Sequence, residues 1–130
     1  EAENDDRIMP GRILIAPGDY HLKVVRSGGV YKAKCFKGEK VCGHCPSVEV
    51  MMESVAEQVG ANAIGVMLTG MGKDGADGML SMKNAGARTL AQDEASSVVF
   101  GMPNEAYKRG GAERLIPLNN IAQEVIKLIG

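Results

Sequence analysis

The stretch AIGVMLTGMGKDGADGM, residues 63–79, restricts the fold of this chain more than any other. Residues 63–68 are apolar without a break, as expected for a strand covered on both faces. Gly70, Gly72 and Gly75 follow at once. Ala76, Met79, Leu80 and Lys83 then trace a short amphipathic helix that stops near Gly86, and residues 87–91, ARTLA, resume a strand. Strand, glycine turn, helix and strand in that order form a parallel βαβ unit, because two parallel neighbours need a crossover of this length. The chain is therefore α/β, with a mostly parallel sheet and flanking helices.

The remaining patterns extend this unit at both ends. Val48, Met51, Met52, Val55, Ala56 and Val59 recur at helical spacing, with Pro46 suited to the first turn and Gly60 to the carboxyl end. Upstream, HLKVVR and VYKAKCF flank Ser27, Gly28 and Gly29, which reads as a β-hairpin. Residues 12–16, RILIA, read as a further strand ending at the turn Pro17-Gly18-Asp19. A short helix is expected around residues 103–109, and Asn119 or Asn120 is expected to cap a last helix carrying Ile121, Val125, Leu128 and Ile129 on one face. The charged opening, EAENDDR, reads as a flexible leader, and a first residue Glu1 points to a chain cut from something longer.

At 130 residues the chain holds one domain, which buries roughly two thirds of its unfolded surface. Aromatic residues are only 4% and Trp is absent, which disfavours base stacking as a function, and the methionines at 51, 52, 67, 79 and 82 are expected to fill the core. A net charge of -1 with no dense basic run disfavours nucleic acid and anionic membranes as partners. Apolar runs are of strand length, so no membrane insertion is expected and a cytoplasmic protein is the default.

The glycine loop admits three readings. Gly70, Gly72 and Gly75 match G-x-G-x-x-G, and Asp93 stands about twenty positions on, where a ribose-binding carboxylate would be. However, Asp74 and Asp77 begin the helix and would repel a pyrophosphate, and no Walker pattern fits because Asp74 occupies the Ser or Thr position after Lys73. Alternatively Asp74 caps a helix and the glycines only permit a tight turn. A catalytic turn is the third reading, since groups just beyond the carboxyl end of a parallel strand face the site of an open sheet.

Four blocks favour the third. LTGMGKDGADGM at 68–79, IAPGDYHL at 15–22, HCPSVEVMM at 44–52 and AQDEASSVVFGMPNEA at 91–106 together resemble the catalytic domain of bacterial chemotaxis protein-glutamate methylesterases. The resemblance implies a doubly wound α/β sheet and hydrolysis of glutamyl methyl esters on chemoreceptors, with glutamine deamidation in some members. It implies a Ser-His-Asp triad in which Asp74 is the carboxylate, an oxyanion site that includes the Met71 backbone N–H, and no cofactor or metal. It also implies methylated chemoreceptor cytoplasmic domains as substrates and a phosphoacceptor regulatory domain as partner. The family's Ser and His loops have no counterpart here, so residues 1–130 are expected to be the C-terminal part of the domain, with an upstream segment supplying both groups. The competing functions are a nucleotide-binding module and a noncatalytic scaffold.

Other chemistry-bearing residues are expected to be structural. Ser27, Ser47, Ser54, Ser81, Ser96 and Ser97 lack a nucleophile's context, His21 tops a hairpin strand, and His44 steadies the start of the long helix. Cys42, His44 and Cys45 have no second half to complete a zinc site, and with Cys35 they are expected to be reduced.

Overall fold

A computed structural model describes residues 1–129. Its element order is β1 (His21–Ser27), β2 (Val30–Phe36), α1 (Val48–Gln58), β3 (Ile64–Met67), α2 (Ala76–Asn84), β4 (Arg88–Gln92), α3 (Met102–Lys108), β5 (Arg114–Ile116) and α4 (Leu118–Ile129). β3, β4 and β5 form a parallel sheet in that order, with Val66 opposite Leu90 and Gln92 opposite Ile116. β1 and β2 form a separate antiparallel hairpin closed by the turn at Gly28 and Gly29.

Alternation along the short strands sends side chains to two different cores. On one face Met67 and Ala91 meet Met79 and Met82 of α2, Ala106 of α3 and Met52 of α1. On the other, Leu90, Ile116 and Val66 meet Ile121, Val125 and Leu128 of α4. Helices thus cover both faces of the parallel sheet. A third cluster joins Leu22, Val24 and Ala33 of the hairpin to Met51 and Val55 of α1. Unbranched Met side chains fill most of the space that aromatic rings fill elsewhere.

Both edges of the hairpin are covered. Helix α1 borders β1, where Ser54 Oγ accepts the Val24 N–H at 2.9 Å and Gln58 Oε1 accepts the Arg26 N–H at 2.9 Å. The opening residues border β2, with Asp5 N donating to Ala33 O, Ala33 N to Asp6 O and Ile8 N to Tyr31 O. The charged opening is therefore a docked edge segment rather than a leader, with Ala2 buried. Its backbone groups satisfy an edge that would otherwise be open.

Three further expectations change. Residues 12–16 form no strand: Ala2 N donates to Ile15 O at 2.8 Å, but no described strand runs beside them. Asn119 and Asn120 lie within the first turn of α4, after Pro117, and are exposed rather than capping. Ile129 points away from the core face with Ile126. Strand β5 carries only three residues and no periodic pattern announces it.

Candidate active site

The parallel sheet directs the carboxyl ends of β3 and β4 to the same edge, and the loops that leave them are tied together. Gln92, buried at the end of β4, accepts the Thr69 N–H on Oε1 at 2.8 Å and donates through Nε2 to Ser96 O at 2.7 Å. Thr69 Oγ1 accepts the Val99 N–H, Gly70 N donates to Val99 O, and Gly70 O accepts the N–H groups of Gly101 and Met102. A Cβ at Gly101 would lie 2.8 Å from Gly70 O and 2.9 Å from Gly72 N, so the two loops approach as closely as a glycine allows. An open depression of about 620 Å³ beside them is lined by Gly72, Lys73, Asn104 and Arg109.

Asp74 lies at the inner end of this loop and is 4% exposed. Its Oδ1 accepts the Ser47 hydroxyl at 2.7 Å and the Glu49 N–H at 3.0 Å, while Oδ2 accepts the Val48 N–H at 2.8 Å. Asp74 does cap a helix, but the helix is α1, which begins 26 residues earlier, and not the α2 that follows it. The geometry depends on Gly75, whose φ of 86° turns the chain back and whose missing Cβ leaves room for Val48 and Met67. Glu49 returns the bond: its Oε1 accepts the Gly78 N–H in the first turn of α2 at 2.8 Å. The amino ends of α1 and α2 are thus capped by each other's chain segments, and two orphan N–H groups on α1 and one on α2 acquire carboxyl acceptors.

A carboxylate offers about four acceptor positions. Three are filled, which leaves one on Oδ2. Among the described residues no imidazole occupies it. Met71, by contrast, is 79% exposed, and no acceptor among the described residues faces its N–H. The sequence-predicted pair therefore sits in one loop, with a buried carboxylate at one end and an open amide near the other.

The dinucleotide reading loses its anion site, because Glu49 already occupies the amino end of α2. Asp93 closes its own turn, with Oδ1 accepting the N–H and the hydroxyl of Ser96. None of the serine hydroxyls with an assigned partner faces an imidazole: Ser54 donates to Met51 O, Ser81 to Glu53, Ser96 to Asp93 and Ser97 to Asp93 O. His21 is buried at the start of β1, where Nδ1 accepts the Ser47 N–H at 3.2 Å and Nε2 bonds Glu39 O at 2.6 Å. His44 is exposed and contributes its backbone to a tight turn with Val41. All three cysteines are free, and burial pushes the Cys35 thiol up, as partial desolvation and then the Asp74 charge do for Cys42. Sequence reasoning assigned no role at this site to Ser47, Glu49 or Gln92. The first two lay within the HCPSVEVMM block, but nothing in their spacing shows that they converge on Asp74.

Comparison with known proteins bears on the chain and its fold as a whole. The family model "CheB methylesterase" covers residues 1–125. A protein-glutamate methylesterase/protein-glutamine glutaminase of Syntrophotalea carbinolica is 64% identical over 99% of this chain, and one of Sulfurimonas denitrificans is 56% identical over 99%. The chain spans 36% and 37% of those relatives' lengths. The crystal structure of the Thermotoga maritima CheB methylesterase catalytic domain superimposes with a TM-score of 0.95 at 36% identity, over 98% of this chain and 68% of that one. On the family match over residues 1–125 and the fold, this chain belongs to the CheB methylesterase family.

Proposed function

We propose that residues 1–130 form the C-terminal part of a catalytic domain that hydrolyses glutamyl methyl esters on chemoreceptor cytoplasmic domains, and that can also deamidate receptor glutamines. In this reading a serine and a histidine come from residues outside this chain. Asp74 accepts the imidazole N–H at the free position of Oδ2, fixes its tautomer and stabilises the imidazolium formed when the serine attacks. The ester carbonyl oxygen becomes an oxyanion and takes the Met71 N–H. Collapse of the tetrahedral adduct expels methanol, which takes its proton from the imidazolium, and water then releases the glutamate. No step needs a cofactor or metal. A phosphoacceptor regulatory domain and a cytoplasmic location complete the assignment.

The observation that supports this most is the incomplete coordination of Asp74: a buried carboxylate held by three donors retains one acceptor position, in the same loop as an amide for which no acceptor is found among the described residues. The test is Asp74→Asn in the complete catalytic domain, with methanol release from a methylated receptor as the readout. Turnover is expected to fall by about 10⁴, the loss seen when a triad Asp is made an amide in serine proteases. An unchanged rate would remove Asp74 from the mechanism. Met71→Ala keeps the backbone N–H and is expected to retain most of the rate.

A further inference from the structure

We propose that Ser47 is a positioning residue for this hydrolysis: its hydroxyl decides which oxygen of Asp74 meets the imidazole. The inference rests on the triad reading of Asp74. A serine preceding a helix ordinarily turns its hydroxyl toward the helix and accepts an N–H from the first turn. Ser47 does not. Its side chain makes no cap bond to α1, and Asp74 takes the Val48 and Glu49 amides in its place. The hydroxyl instead donates to Asp74 Oδ1 at 2.7 Å in a fully buried contact.

The backbone of Ser47 is held for this purpose from the opposite side. Its N–H donates to His21 Nδ1 at 3.2 Å, and the His21 ring is fixed in turn by Nε2 against Glu39 O at 2.6 Å. Both residues are 2% exposed. The consequence for Asp74 is an asymmetry between its oxygens. Oδ1 receives two donors and has no lone pair left to offer, whereas Oδ2 receives one and has one left. Only Oδ2 can take a further N–H. Without the Ser47 hydroxyl each oxygen has one amide donor and one free position, so the two become equivalent and the imidazole no longer has a single acceptor direction. Capping of α1 would survive, because the two amides that require it remain bonded to the carboxylate.

The experiment uses the complete catalytic domain and compares Ser47→Ala, Ser47→Thr, Asp74→Asn and the double variant Ser47→Ala/Asp74→Asn. Steady-state methanol release is followed with thermal melting of each protein. Misplacing an otherwise intact group by about 1 Å can cost about a hundredfold, so Ser47→Ala is expected to lower kcat by about tenfold to a hundredfold. KM should stay within about twofold, since the interaction acts on the transition state rather than on binding. Ser47→Thr retains the hydroxyl and should restore most of kcat. In the Asp74→Asn background, removing the hydroxyl should cost nothing further, because groups that act as a unit are not additive. Loss of melting temperature with kcat unchanged, or an equal loss in both backgrounds, would overturn the inference while a crippled Asp74→Asn leaves the triad reading standing. Full activity of Asp74→Asn would overturn both.

Discussion

Glu49 occupies the junction of the two cross-capped helices, and its side chain carries a measurable consequence. The carboxyl is pushed up to about 7, first by burial and then by the nearby Glu53 and Asp77 carboxylates, against the pull of the Gly78 N–H. The hollow it faces, between α1 and the hairpin, also contains Glu57 and Lys23. Because its ordinary value is 4.5, the folded protein binds this proton more tightly than the unfolded chain does. The contribution to stability is complete below pH 4.5 and is lost as pH rises through about 7. Glu49→Gln keeps an oxygen for the Gly78 N–H and removes the titration. Urea unfolding of the complete domain at pH 5.5 and pH 8 should therefore show a smaller fall for the variant than for the parent. An identical fall in both would mean that Glu49 ionises normally.

At the level of elements, the site is the meeting of two loops and one helix end, and its precision comes from close backbone approach. Gly101 is the point where the two loops meet backbone to backbone. Its neighbours within 3 Å of an added Cβ are the backbone atoms Gly70 O and Gly72 N, which cannot rotate aside as a side chain could. Gly101→Ala is expected to force the loops apart and to destabilise the domain by roughly 1–3 kcal/mol, the range for overpacking a filled site. Melting temperature and methanol release should fall together, since the same displacement moves Met71. The elements around this site were mostly legible in the sequence, because the helical spacing from Val48 to Val59 is unambiguous and the unbroken run at 63–68 is of strand length and is followed by a glycine turn. Asp74 and Met71 were singled out by the motif that the family resemblance supplied. What stayed hidden was long-range. The cap that Asp74 gives to α1 joins positions 26 residues apart, and docking of residues 5–8 on β2 depends on an open edge that no local pattern records. Residues 12–16 show the reverse failure, since strand-like composition does not make a strand without a partner to pair with.

For the molecule as a whole, those five residues are the most informative surface. Leu14 and Ala16 turn inward onto the hairpin cluster, while Ile13 is 88% and Ile15 64% exposed. The opening segment gives this stretch one bond, Ala2 N to Ile15 O, and with no described strand beside it and apolar side chains on both faces it is still a template for pairing. The solved Thermotoga maritima domain is longer than this chain, which covers 68% of it, so additional residues are available in the family to lie beside such a segment. Two results should follow for the 130-residue polypeptide on its own. It should release no methanol from a methylated receptor peptide, because none of the assigned serine hydroxyls faces an imidazole and the free position on Asp74 Oδ2 has no histidine among the described residues. It should also self-associate in sedimentation velocity, with Ile13→Lys/Ile15→Lys shifting it toward monomer by placing charge on the open edge. A parent chain that sediments as a stable monomer would show that the exposed isoleucines are tolerated, and methanol release by that chain would show that the triad does not need residues from outside it.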